Sequence, residues 1–366
     1  MSGKISDNLG TASGLVKSAT DAPDSGSSNP TVSTNPSAIG DRFINTTSGE
    51  VFVCTDVTAG ENVWKGQLGS TVEPPKYFGA RGVWGGGFDG SAKTNILGYV
   101  NISSSGNATD FGDLLAANEA PGALSSGTRG LWHGGNTAGG IVDVIQYVTI
   151  SSTGNASDFG NLTDARYNQP SGCSSGVRGC IGGGNDGSDA SNIIDFVVIA
   201  STGNASDFGD LTEQRQGSAS YSNGTRGVWH AGHNGTSVTN TIDYITIASA
   251  GNATDFGNAT VARGSGCSGC SNGTRGVAGG GSSGSNVIDF IIIASTGNAT
   301  DFGDLTVGRD GPGACSNGTR GVWGGGSDSR LNTMDFIVMA STGNASDFGD
   351  LTTTTSSNAA CSGDAS

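Results

Sequence analysis

The sequence predicts an all-β fold: a six-bladed β-propeller of four-stranded antiparallel blades, preceded by a small β module and an extended N-terminal segment. Three observations predict the propeller. A unit of about 48 residues recurs six times, opening at Arg81, Arg129, Arg178, Arg226, Arg275 and Arg320, and a second landmark at Phe111, Phe159, Phe208, Phe256, Phe302 and Phe348 keeps the same count. Inside each unit the apolar residues alternate with period two between turn residues, which is the pattern of short strands. The C-terminal segment from Ser356 to Ser366 carries Cys361 in the register of an inner strand that the first unit lacks.

The elements follow in order. Counting five residues back from each opening arginine gives Leu124, Cys173, Tyr221, Cys270 and Cys315, one position on successive inner strands, with Cys361 for the first unit. Asn223-Gly224, Asn272-Gly273 and Asn317-Gly318, with Ser126-Gly127 in the same register, are expected as hairpin turns with positive φ at both central residues. They lead into a second strand such as Arg226-Gly-Val-Trp229. Segments like Ile194-Asp-Phe196 supply the third strand, and segments like Asp207-Phe-Gly-Asp210 the fourth. Four such strands repeated radially make a propeller blade. A C-terminal strand closing the first blade hides an edge that invites foreign pairing.

These residues resemble the kelch repeat family. The double glycine stands at Gly86-Gly87, Gly134-Gly135, Gly183-Gly184, Gly280-Gly281 and Gly325-Gly326, weakened to Ala231-Gly232 in one copy. Phe208-Gly-Asp-Leu211 occupies the place of the family's Trp-x-x-Leu. Arg166, Arg215, Arg263 and Arg309 stand in its arginine place, with Asn118 and Thr355 in the other two copies. The resemblance implies the propeller fold over about 290 residues and says little about function.

Composition narrows the function classes. With 65 glycines and 13% charged residues, the repeats are turns and small side chains, and each blade must lean on its neighbours. The net charge of −15, with Lys93 the one lysine beyond residue 77, argues against nucleic acid as a partner. Ten of the eleven arginines from residue 77 onward sit at the two repeat positions and are expected to bond backbone or aspartates. The cysteines on inner strands read as small buried apolar groups; Cys267-Ser-Gly-Cys270 lacks a second ligand pair for metal. Cys173 and Cys180 flank a hairpin whose expected register sets Cys173 opposite Arg178, so no disulfide is expected, and the odd total of seven suits a reducing assembly site.

Several motifs dissolve on inspection. Asp-Phe-Gly occurs six times without the other protein kinase signatures. The Asn-Ala-(Ser/Thr) triplets at Asn107, Asn155, Asn204, Asn252, Asn298 and Asn344 are formal glycosylation acceptors, read more simply as turns. Gly184 to Asp189 offers oxygen ligands but not the fixed spacing of a calcium loop. Of three histidines, His133 and His230 are read as variation at a half-exposed strand end, and no catalytic cluster is expected. No cofactor and no metal are expected either.

The first 76 residues differ. Residues 1–37 are polar and read as a flexible N-terminal segment; residues 38–76 read as a small three-stranded module and linker. No apolar run suits a signal peptide or a membrane span. Asn35 to Ile39, continuing through Asn62-Val-Trp-Lys65, resembles the small modules of tailed-bacteriophage fibres. Ser2 to Lys17 is similar to N-terminal stretches of marine phage structural proteins. The resemblance implies a non-enzymatic virion protein, attached through residues 1–37 with Lys4, Ile5, Leu9, Leu15 and Val16 as contact residues, assembled in the host cytoplasm and present in several copies, with other virion proteins as partners.

Two readings stay open beside a non-viral bacterial surface or scaffold propeller. In one the propeller is a tail or neck appendage that binds host surface glycan; in the other it decorates capsid or tail. Repeat divergence gathers in the loops after the double glycines, which places the candidate binding residues at Asp89, Asn136, Asn185, Asp186, His233, Asn234 and Asp328.

Overall fold

The computed structural model describes residues 23–31, 34–57, 62–68, 71–72, 78–264, 266–281, 284–326 and 330–363. Every regular element among them is a β-strand. The chain divides into two compact units, Met1–Pro74 and Pro75–Ser366.

The N-terminal unit is a five-stranded sheet rather than the expected three. Arg42–Asn45, Val51–Asp56 and Val63–Gly66 form the antiparallel centre; Asp24–Gly26 adds in parallel on one edge and Thr71–Val72 on the other. Alternation along these strands buries Phe43, Phe52, Cys54 and Trp64 on one face. The hairpin at residues 46–49 is fixed by Asn45, whose Oδ1 accepts from the backbone N–H of Thr47 and Ser48, and by Gly49 at φ +75°. Sequence pattern revealed the centre; the edge strands Asp24–Gly26 and Thr71–Val72 are too short to show a period.

The larger unit holds six four-stranded antiparallel sheets, numbered here by their opening arginines from Arg81 to Arg320. Unit three is representative: Ser171–Ser174, Arg178–Gly182, Ile193–Val198 and Ser206–Asp210, in that order across the sheet. The first strand of unit one comes from the far end of the chain, Ala359–Gly363 pairing with Arg81–Gly85 and Cys361 lying opposite Val83. Leu124 lies opposite Leu131 in the same way, so the register counted from the sequence holds.

The hairpins correct one expectation. Asn223 N–H donates to Arg226 C=O, making Gly224 and Thr225 the central residues; Gly224 has φ +84°, and neither Asn223 nor Thr225 has positive φ. Asn223 Oδ1 accepts from Thr225 and Arg226 N–H, so its side chain replaces the backbone acceptor. This is the glycine-first hairpin geometry. The same shift sets Cys173 opposite Cys180, not Arg178. All seven cysteines are buried free thiols.

Adjacent units are joined by side chains that the sequence presents as unrelated peculiarities. The inner position of each unit packs against the glycine that follows the next opening arginine: Leu124 on Gly179, Cys173 on Gly227, Tyr221 on Gly276, Cys270 on Gly321, Cys315 on Gly82 and Cys361 on Gly130. The volume there is shared with the second-strand residue two positions on. Cysteine faces tryptophan (Cys173 with Trp229, Cys270 with Trp323, Cys315 with Trp84, Cys361 with Trp132), whereas Leu124 faces Ile181 and Tyr221 faces Ala278. A thiol is what fits beside an indole in a close-packed joint. Each of these tryptophans also donates its indole N–H to an inner-strand carbonyl of the preceding unit, as Trp229 does to Ser171.

The arginines fall into two joints. Each opening guanidinium lies 4.5–4.8 Å from the centre of its own third-strand ring, which meets the fourth-strand phenylalanine edge-on, as in Arg178, Phe196 and Phe208. Five of the six then donate to a carbonyl in the following unit, for example Arg178 to Ile247. The linker arginines Arg166, Arg215, Arg263 and Arg309 are buried and paired with Asp195, Asp243, Asp289 and Asp335 of the next unit, at 2.5, 2.7, 2.8 and 2.8 Å. Units lacking the arginine lack the aspartate too. Asn118 goes with Gln146, and Thr355 with Gly98, so neither isolated charge is buried.

The asparagines of the Asn-Ala-(Ser/Thr) triplets form a third joint. Asn107, Asn155, Asn204, Asn252, Asn298 and Asn344 each accept, through Oδ1, from a fourth-strand N–H of the preceding unit at 3.0–3.1 Å. An exposed edge strand is thereby tied to its neighbour by one side chain.

Candidate functional site

Antiparallel order puts two sets of connections at one end of the larger unit: the loops between second and third strands, and the linkers from each fourth strand to the next inner strand. Backbone bonds lace them together. Asn136 exchanges bonds with Glu119, Asn185 with Tyr167, and His233 with Gln216, all at 2.8–3.0 Å. The linkers also bond one another: Ala120 N–H donates to Ser357, Gln169 to Ala120, Gly217 to Asn168, Gly266 to Gly217 and Gly311 to Gly266. Ala120, Gln169 and Ser357 hold φ of +53°, +55° and +52° to do so.

The sequence-derived loop residues share this end, but most are engaged in their own turns. Asp89 Oδ1 accepts from Ser91 and Ala92 N–H, Asp186 Oδ1 from Ser188 and Asp189, and Asn234 Oδ1 from Thr236 and Ser237. These backbone bonds hold the carboxyls of Asp89 and Asp186 below the usual carboxylate range. Asn185 accepts from Gly187 N–H and donates to Gln216, and His233 Nδ1 accepts from Gly235 N–H. Asn136 contributes backbone pairing with Glu119 and Ile141. Asp328 lies outside the described residues, as do Lys4, Ile5, Leu9, Leu15 and Val16.

A cavity of about 120 Å³ lies among the six inner strands, between the linkers at Pro121, Gln169 and Asn358 and the ring of Phe78, which sits against Gly318 at the hairpin end. It is smaller than the roughly 300–1,000 Å³ of ordinary ligand sites. Its serines are committed: Ser125, Ser222, Ser271, Ser316 and Ser362 each donate Oγ–H to the matching serine carbonyl of the preceding unit.

The cluster that sequence reading missed lies between units four and five. His230 is fully buried, not half-exposed, because the second strand is interior to its sheet and covered on both faces. Its Nδ1 is 2.8 Å from Tyr221 Oη and its Nε2 3.2 Å from Asp289 Oδ1, while Arg263 approaches the same oxygen at 2.8 Å. Burial pushes the Asp289 carboxyl upward, but His230, Arg263 and Thr260 together outweigh it and hold it well below the usual range. Asp195 and Asp243, each facing an arginine without a histidine, are instead raised by burial. The Tyr221 hydroxyl is pushed well above its ordinary value by burial and by Asp289, so it stays protonated. The constellation is an inter-unit tie. The one available signal was Ala278, which occupies the tryptophan position beside the one inner tyrosine.

His133, the equivalent residue of unit two, is also fully buried, and burial followed by the charge of Arg166 lowers it to about 3. It is therefore a neutral imidazole. Among the described residues no three metal-ligating side chains converge, and no helix is long and apolar enough to cross a membrane. No protein-family model matches the chain, and no curated protein proves similar to it.

Proposed function

We propose that the chain is a non-enzymatic virion protein of a tailed bacteriophage: a tail or neck appendage, with the N-terminal region attached to the particle and a closed, kelch-like six-bladed propeller presented to a host surface glycan. The ring is supported by joints of unit six to unit one that repeat those elsewhere. Trp84 donates to Gly313, Asn107 accepts from Asp350 N–H, and Ser362 donates to Ser316. The non-enzymatic reading is supported by the burial of Tyr221, His230 and Asp289, which meet between units four and five, and by the burial of all seven cysteines.

The observation that carries the appendage reading is that the strands of the phage-like segment, Arg42–Asn45, Val51–Asp56 and Val63–Gly66, pair in a small sheet of their own, while the repeat unit gathers its divergent loops at one end. Commitment of Asp89, Asp186 and Asn234 to their own turns favours a second reading, decoration of capsid or tail through contacts with virion proteins alone. Imaging of labelled particles separates the two. A propeller standing clear of the particle with its loop end outward is expected; one packed against capsid on both faces leaves only decoration, and recovery from uninfected cells without particles removes both.

A further inference from the structure

Ten of the twelve cations from residue 77 onward are used in the joints described above, which leaves Lys93 and Arg330. Both stand at the divergent-loop end, in units one and six. Phe88 and Lys93 form a backbone bridge across the first loop, and the Arg330 guanidinium lies 5.5 Å from the centre of the Phe88 ring. Arg330 is exposed and holds φ +50°, a conformation that disfavours a side chain, and its aliphatic stem lies over Gly90, where a Cβ would meet it. Lys93 Nζ donates to Thr137 C=O, so its ammonium reaches from unit one toward unit two at the same loop end. Asp89 Oδ1 is bonded within its own turn, and the nearby Arg330 charge adds to the lowering of that carboxyl.

We infer that Arg330, Lys93 and Phe88 form a subsite for a carboxylate-bearing glycan. This rests on the appendage reading and names the class of its ligand. A guanidinium presents parallel N–H donors that match a carboxylate two to two, and the ammonium adds a second positive charge. The aromatic ring offers an apolar face against which a sugar ring can lie. On a protein of net charge −15 an acidic polymer is repelled on the whole, which makes the pair a determinant of where it lands.

The test compares the full chain with Arg330→Gln and Lys93→Gln on polygalacturonate, on its neutral methyl ester, and on a panel of sialylated and neutral glycans. Wild type is expected to hold an acidic glycan in preference to its neutral counterpart, more weakly as salt is raised, with Arg330→Gln about tenfold weaker. Equal retention of acid and ester, retention of neutral glycans alone, or unchanged binding by Arg330→Gln overturns the subsite and leaves the glycan-binding appendage standing. Retention of no glycan overturns both.

Discussion

The paired loss of Arg and Asp in two of six joints supplies its own experiment. In unit three, Arg166 and Asp195 are each fully buried, and Asp195 also accepts from the Thr163 hydroxyl and N–H. Arg166→Ala leaves that carboxylate without its counter-charge, at a cost of about 3–5 kcal/mol. For a unit of this size the unfolding entropy is about 0.6 kcal/mol/K, so the thermal midpoint should fall by about 5–8 °C. Asp195→Gln, which strands the guanidinium, should act similarly. The double variant Arg166→Asn/Asp195→Gln rewrites this joint as the chain already writes it with Asn118 and Gln146, and should unfold within about 2 °C of wild type. Urea and thermal unfolding of all four proteins complete the cycle, with an expected coupling of at least about 2 kcal/mol. A double variant as unstable as the sum of the singles would refute the view that the joint needs charge balance rather than these particular side chains.

Three further outcomes are expected. Removal of residues 356–366 takes away the strand paired with Arg81–Gly85 and should lower the midpoint of the whole repeat unit; a 1–355 chain that melts with the full one would count against a closed ring. Cys270→Leu places extra volume against Trp323 and should cost about 1–3 kcal/mol, with relief when Trp323→Ile is added, since Leu124 already faces Ile181; no relief would show that the paired volumes are coincidence. Because the Asp289 carboxyl is held low in the folded state, its stabilisation is present above its unfolded value near about 3.9 and is lost as pH falls through the folded value. Asp289→Asn should therefore be less stable than wild type at pH 7, and the two acid-unfolding curves should begin to approach each other below about pH 4 and meet only at the lower folded value; parallel curves would mean that the carboxylate charge is not what ties units four and five.

The sequence by itself determined the repeat, the four strands of each unit, the inner register from Leu124 to Cys361 and the pairing of the last strand with the first unit. Each of these is written as a period or an offset, and periods survive without knowledge of neighbours. It also flagged the divergent loops, though not that Asp89, Asp186 and Asn234 would be spent on their own turns, which depends on backbone geometry one residue at a time. The hairpin type was misread because Asn223 acts through its side chain while Gly224 supplies the positive φ, and the dipeptide alone does not reveal that division. Only the tertiary structure decided what lies between units. The exchange of Cys and Trp for Tyr and Ala, the joint loss of Arg and Asp, the His230 tie and the seating of Arg330 over Phe88 all join residues about 9 to 240 positions apart in sequence. Packing and charge balance act across those joints, where distance along the chain carries no information.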